Sequence, residues 1–376
     1  MMDPIIYHEE LRGKFEIKSR AKLATREDLS LAYTPGVAKV CEAIVENPAR
    51  VYDLTRKNNL VAVVTDGSAV LGLGNIGPEA SLPVMEGKCI LYKEFSDVDA
   101  VPIALKTQDT EEIIRTVELI SPMFGGIHLE DISAPRCFEI EERLDKMLDI
   151  PVFHDDQHGT AVVVLAAILN ALELVDKKIE EIRVVVNGVG AAGVAITKLL
   201  MAGGVKNLYL VDSKGIVYDG RGDLNDVKKD LAKITNPDKR TGGLIVAMIG
   251  ADVFIGVSKG NVVSGEMVKS MGEKSIVMAL ANPTPEIMPD LARDSGAYIV
   301  ASGRSDFPNQ VNNVLSFPGI FRGLLDGKIK SLTVEMKLRA ARALAEYVTD
   351  LSRDKILPNP LDKEVSKVIS KAIQNI

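Results

Sequence analysis

Two pairs of adjacent carboxylates stand out in the first half of the chain: Glu130-Asp131 and Asp155-Asp156. Each follows a short run of strand-forming residues, Ile127-His128-Leu129 and Pro151-Val152-Phe153-His154. In a parallel sheet the carboxyl ends of neighbouring strands open into one crevice, so both pairs would meet there. Carboxylates brought that close repel one another unless a cation balances them. Ligands that are all oxygen select a hard ion, Mg²⁺ or Mn²⁺, rather than zinc. For a single pair, a helix cap or a solvated loop charge is the plainer alternative. His154 and His158 flank the second pair and can act as ligands, although a histidine beside an apolar strand is more often a hydrogen-bonded structural residue.

A second chemistry is written in glycines. The pattern G-x-G-x-x-G occurs twice and is weak evidence alone. The copy at Gly72, Gly74 and Gly77 follows Asp66-Gly67, which sits between two β-rich runs, Leu60 to Thr65 and Ser68 to Leu73, and so predicts a hairpin. The nearest acids, Asp97 and Asp99, precede the next strand instead of ending it. This copy reads as a structural turn or substrate loop. The other copy is Gly188-Val189-Gly190-Ala191-Ala192-Gly193. Val184-Val185-Val186 leads into it as a buried strand, and Ala191 to Leu200 can form a helix whose N-terminus faces a pyrophosphate. Asp212 lies 19 residues after Gly193, directly behind Tyr209-Leu210-Val211, where a carboxylate would hold a ribose 2′-hydroxyl. A carboxylate there repels a 2′-phosphate, so NAD is favoured, with NADP possible because Ser213 and Lys214 soften the repulsion.

These groups need elements to carry them. Residues 1 to about 55 read as charged helix broken at Tyr33-Thr34-Pro35-Gly36. A helical stretch surrounds Cys89, Val98 to Leu105 is a buried strand, and Glu111 to Ser121 is helical. The apolar segment Gly159 to Leu174 bridges to a second alternating unit, with strands at Arg183 to Val186, Leu208 to Val211, Val253 to Val257, Ile276 to Leu280 and Ala297 to Ala301. Residues 332 to 376 are amphipathic helix interrupted by Pro358-Asn359-Pro360. Alternation of strand and helix predicts an α/β fold with parallel sheets. Three regions are expected: a substrate and metal domain over 1–158, a Rossmann-type doubly wound NAD-binding domain over 159–330, and C-terminal helices over 331–376 that pack back on the first.

The bulk numbers agree. A chain of 376 residues, 46% hydrophobic and 26% charged, is an ordinary globular protein large enough for two domains. Its net charge of −7 has no basic block, which argues against nucleic acid or an anionic membrane as partner. Cys41, Cys89 and Cys137 are few, scattered and odd in number, so a disulfide framework is not expected and a reducing compartment fits. The N-terminus has no basic start and no apolar signal core, and the apolar run Ala161 to Leu169 is too short to span a bilayer, so a cytoplasmic location is expected.

Taken in order, several segments resemble the malic enzyme family in its short prokaryotic form. They are Ala32-Tyr33-Thr34-Pro35-Gly36-Val37-Ala38, Val63-Val64-Thr65-Asp66-Gly67, Met85-Glu86-Gly87-Lys88, Leu129-Glu130-Asp131-Ile132, Phe153-His154-Asp155-Asp156-Gln157-His158-Gly159-Thr160-Ala161, Ala281-Asn282-Pro283-Thr284 and Asn312-Asn313-Val314. The resemblance implies oxidative decarboxylation of malate to pyruvate and CO₂ with reduction of NAD(P)⁺. It implies Glu130, Asp131 and Asp156 as metal ligands, Lys88 as general base with its pKa lowered by nearby cations, and Tyr33 as the acid that protonates C3 of enolpyruvate. Asp155 would orient Lys88. Asn282 and Asn313 would hold the substrate carboxylate, and Asn282 would also touch the nicotinamide ribose. A homodimer is implied too, with the Tyr33 segment completing the neighbour's site. One departure is visible: the long eukaryotic-type relatives carry a substrate-gripping arginine soon after Thr-Asp-Gly, where this chain has Ala69. Lys88, the metal, the two asparagines and backbone amides near Gly36 are the available substitutes. Two rivals share these parts. A malolactic-type enzyme would return the hydride and release lactate, and a non-catalytic dinucleotide-binding module would need neither the acids nor Lys88.

Overall fold

In the computed structural model, residues 3–375 are described. The chain opens with an arm of short helices, α1 (Pro4–Leu11), α2 (Arg26–Ala32), α3 (Val37–Glu46) and α4 (Val51–Leu54). Asp3 caps α1, and Thr25 with Asp28 closes a reciprocal capping box on α2, so both helices are locally specified. None of the four buries a residue.

The first sheet follows: β1 (Leu60–Thr65), α5 (Pro78–Ser96), β2 (Asp99–Ala104), α6 (Thr110–Ile120), β3 (Gly126–Leu129), α7 (Arg136–Met147) and β4 (Val152–His154). Its strand order is β2-β1-β3-β4 and every pairing is parallel. The hairpin expected at Asp66-Gly67 does not form. Both edges of β1 are taken by β2 and β3, so Ser68 to Leu73 has no edge to pair with. The Asp-Gly turn is real but ends a parallel strand: Asp66 Oδ1 accepts the Ser68 amide at 3.0 Å, Gly67 takes φ +67°, and residues 71–73 coil into a 3₁₀ turn.

Helix α8 (Asp155–Val175) begins directly at the end of β4 and runs into the second unit. By length and composition it could cross a membrane, but 72% of its most apolar window is buried inside the protein, as in a core helix. The second sheet contains β5 (Arg183–Asn187), β6 (Asn207–Asp212), β7 (Gly215–Ile216), β8 (Val253–Gly256), β9 (Ile276–Ala279) and β10 (Ile299–Ser302). Its order is β10-β9-β8-β5-β6-β7, parallel except for the short β7 edge. Around it lie α9 (Ala191–Ala202), α10 (Asp226–Ile234), α11 (Leu244–Met248), α12 (Gly265–Lys269) and α13 (Pro289–Asp294). The order reverses at β5, between β6 and β8, which is the switch point where such sheets bind ligands.

The chain closes with α14 (Phe317–Asp326), α15 (Val334–Glu346) and α16 (Glu364–Gln374). Gly319 and Gly323 let α14 approach α16 so closely that a Cβ on either would lie 2.8 Å or less from α16 atoms. Helices α14 and α16 also pack against α5, and α15 against α8 and α9. One apolar core therefore runs from α5 through α8 into the second sheet and ties the two sheets together.

Candidate active site

Lys88 projects from the buried face of α5. On that helix Met85, Lys88, Cys89 and Tyr92 form the buried face at i, i+3, i+4 and i+7. His128 on β3 and Glu130, the next residue past its end and still bonded through its amide to the Val64 carbonyl, sit two residues apart and so face the same way. The two patterns meet. Lys88 Nζ ion-pairs with Asp155 at the start of α8 and lies 3.1 Å from Glu130 Oε1. Its ammonium also stands 4.7 Å from the Phe317 ring centroid. Lys88, Glu130 and Asp155 are all buried.

Beside this cluster, oxygens of Glu130, Asp131 and Asp156 converge to within 4.8 Å of one another. Asp131 adopts φ +54°, a left-handed conformation that turns the chain sharply after β3. The turn is held from both sides: Asp156 Oδ2 accepts the Asp131 amide at 2.9 Å, and the Asp131 carbonyl accepts the Ala69 amide at 2.9 Å. Three carboxylate donors at one point, two of them buried, fit a hard divalent cation and no soft one. His154 and His158 lie outside that convergence. The His158 ring instead contacts Glu141 and Lys337, and Glu141 also accepts the His154 amide at 2.9 Å and the Gln157 side chain at 2.8 Å. Glu141 thereby anchors the turn that carries Asp155 and Asp156.

Burial works to lower the Lys88 pKa, but Asp155, Glu130 and Asp156 outweigh it and hold the ammonium well above the ordinary lysine range. The lysine's close side-chain partners are the anions Asp155 and Glu130. Burial pushes the Glu130 carboxyl up to about 7, with Lys88 pulling the other way. Burial also raises Asp155 and drives His128 down to about 3, so that its ring is neutral.

The second glycine loop has the required shape. Gly188 takes φ +113° against the Val257 carbonyl, and a Cβ on Gly193 would lie 1.8 Å from the Gly188 carbonyl oxygen. A Cβ on Gly190 would meet open space, which leaves room for a ligand at the N-terminus of α9. A cavity of about 210 Å³ there is bounded by Val189, Gly190 and Lys228 on one side and Pro135 and Phe138 on the other. Asp212 ends β6 as expected, but it is already engaged: Arg221 and Lys228 both pair with its Oδ2. Burial opposes its charge, yet hydrogen bonds from these two cations bring its pKa down to about 2.

Asn282 lies at an exposed turn after β9, and Gly72 packs on its carbonyl: a Cβ on Gly72 would lie 2.2 Å from it. In the first glycine copy Gly72 is thus a close-packing point where the two units meet, whereas a Cβ on Gly74 or Gly77 would meet open space. Asn313 opens a 3₁₀ turn whose Ser316 hydroxyl donates to the Gly159 carbonyl of α8 at 3.1 Å. Tyr33 stands apart, 64% exposed at the end of α2. Among the described residues no hydrogen bond joins its side chain to the Lys88 cluster.

Several residues escaped the sequence reading. Tyr92 and His128 were signalled only by spacing, i+4 from Lys88 and i−2 from Glu130. Arg221 and Lys228 could not be tied to Asp212 without the loop's path. Glu286, fully buried, accepts the Ser258 amide at 2.8 Å and the Ala281 amide at 3.1 Å, and so supports the loops after β8 and β9. Arg136, at 2.8 Å from Asp66, is committed to that carboxylate and to Ser68 and Ser133, and takes no part in filling the gap left by Ala69.

The family model described as malic enzyme, N-terminal domain, matches residues 12–145, and that described as malic enzyme, NAD binding domain, matches residues 157–376. The bifunctional malic/malolactic enzyme of Bacillus subtilis (strain 168) is 56% identical over 369 residues, covering 97% of this chain and 90% of that protein. The NAD-dependent malic enzyme of Geobacillus stearothermophilus is 56% identical over 363 residues, 96% of this chain and 76% of that one. The crystal structure of the NAD-dependent malic enzyme from Thermotoga maritima superposes with a TM-score of 0.97 at 51% identity, covering 100% of this chain and 99% of that one. With both family models matched in order and relatives 51–56% identical over nearly the whole chain, the chain belongs to the malic enzyme family.

Proposed function

We infer that this malic enzyme oxidatively decarboxylates malate to pyruvate and CO₂, with reduction of NAD⁺ or NADP⁺. The observation that carries the reading is the meeting of Lys88, Asp155 and the Glu130-Asp131-Asp156 carboxylates in one cluster. Lys88, in its neutral amine form, accepts the proton of the C2 hydroxyl as hydride leaves C2 for the nicotinamide. Asp155 holds its ammonium in place, and Phe317 closes one side against water. Glu130, Asp131 and Asp156 would hold the Mg²⁺ or Mn²⁺, which when bound supplies a Lewis acid for the substrate oxygens and offsets the carboxylates that now keep Lys88 protonated. The C4 carboxylate of the 2-keto acid then leaves as CO₂, and Tyr33 protonates C3 of the enol. Asn282 and Asn313 grip substrate carboxylate. Gly188 to Gly193 bind the pyrophosphate, and Asp212 the ribose.

Residues 1–158 serve as the substrate and metal region, 159–330 as the nucleotide region, and 331–376 as the brace across both. Tyr33 reaches a partner's site in a homodimer. Support comes from the arm itself, where Ile17 is 88% exposed, Leu31 72% and Val45 81%, apolar surface that a second copy would cover. Three free cysteines fit a reducing cytoplasm. The B. subtilis relative, by its name, also acts as a malolactic enzyme, so lactate is the second product to look for. An assay with malate, each cofactor and EDTA as control separates the two. Reduced cofactor equal to pyruvate supports the reading; lactate without net reduced cofactor opposes it.

A further inference from the structure

Behind the carboxylate cluster lies a buried chain of hydrogen bonds that the chemistry above does not use. Glu130 Oε2 is 2.6 Å from His128 Nε2, and His128 Nδ1 is 2.6 Å from the Tyr92 hydroxyl. Tyr92 and His128 have no exposed surface. Their rings are boxed by Phe317 and Phe321, with Phe153 also against the histidine. With Glu130 ionised, its oxygen can only accept, so Nε2 carries the proton and Nδ1 must accept from the tyrosine. Both ring nitrogens are then occupied, and His128, although close to Glu130 and Asp155, has no lone pair left for a metal. The two oxygens of Glu130 are also distinguished: Oε2 belongs to His128, while Oε1 faces Lys88.

We propose that His128, fixed in one tautomer by Tyr92, is a positioning residue that commits Glu130 Oε2 and leaves Glu130 to the metal as a one-oxygen ligand. This rests on Glu130 being a metal ligand, as read above. A carboxylate limited to one oxygen suits the near-octahedral demand of Mg²⁺ and Mn²⁺; Ca²⁺ commonly takes both oxygens. Partners behind a ligand typically contribute ten- to a hundredfold to metal affinity.

The test is Mn²⁺ binding to the whole protein without substrate, followed by the electron paramagnetic resonance of free Mn²⁺, with Ca²⁺ as competitor and a thermal melt of each variant. His128→Leu should weaken Mn²⁺ by about tenfold or more and let Ca²⁺ compete better relative to Mn²⁺. His128→Gln, which retains a donor, should recover most of the loss. Tyr92→Phe, which keeps the ring packing and removes only the hydroxyl, should weaken Mn²⁺ in the same direction even if His128→Leu does not fold. Lowered melting with unchanged Mn²⁺ affinity and Ca²⁺ competition would mean a packing role only, and would overturn the proposal. Asp156→Asn separates this from the underlying reading: if parent binding does not depend on Asp156, the metal reading and this proposal fall together. If it does and the His128 and Tyr92 variants bind like the parent, the proposal alone falls.

Discussion

At the scale of single residues, Lys88 is defined by its anionic neighbours. Replacing it with alanine removes the base and leaves Asp155 and Glu130 buried without their cation. Turnover should drop by roughly 10²- to 10⁴-fold, while NADH binding, followed by its fluorescence, stays within a few-fold of the parent. Glu130 makes a separate prediction. Its carboxyl, raised by burial to about 7, is protonated below that pH, so a metal must displace a proton to bind there. Metal affinity should weaken as pH falls through 7, by up to about tenfold per pH unit, and be flat above about 8. A titration from pH 5.5 to 8.5 that shows no such slope would contradict the upward shift of this carboxyl. The acids were legible because two of them in tandem, at two strand ends, have few plain explanations. Tyr92 and His128 were not, because a tyrosine and a histidine among apolar residues look like core until the helix and the strand are seen to face each other.

At the scale of elements, the loop before α9 depends on absent side chains. Gly193→Ala would drive a Cβ into the Gly188 carbonyl, so the loop must move, and both NAD affinity and thermal stability should fall together. The end of β6 tests cofactor choice. Asp212 is held by Arg221 and Lys228, so a cofactor meets a neutralised carboxylate with two cations behind it. Asp212→Asn should free both for a 2′-phosphate and shift the NADP-to-NAD ratio of kcat/KM upward by about tenfold or more, the scale of a charge-assisted hydrogen bond. An unmoved ratio would show that the cofactor does not sit against Asp212. The strand-glycine-helix order and the acid after β6 could be read from sequence because they are local. The pairing of Asp212 with Arg221 on a later loop and Lys228 on α10 is not local, and neither was the fate of Asp66-Gly67. An Asp-Gly turn stops a strand equally well before a hairpin or before a crossover; the parallel neighbours on both edges of β1 decide between them.

At the scale of the whole molecule, one continuous core ties the two sheets through α5, α8 and the C-terminal helices, while the arm carrying Tyr33 lies outside it. If that arm completes a partner's site, mixing inactive Tyr33→Phe with inactive Lys88→Ala should restore activity approaching a quarter of the parent's sites, as random pairing in dimers predicts. No recovery after verified subunit exchange would place Tyr33 in its own subunit's site or in none. The measurement closest to the central claim is simpler: malate turnover with Mg²⁺ or Mn²⁺, counting pyruvate, lactate and reduced cofactor together in the parent and in Lys88→Ala. The account predicts pyruvate and reduced cofactor in equal amounts, abolished by EDTA and by the substitution while cofactor binding persists. Turnover indifferent to metal and to Lys88, or lactate formed without net reduced cofactor, would contradict it.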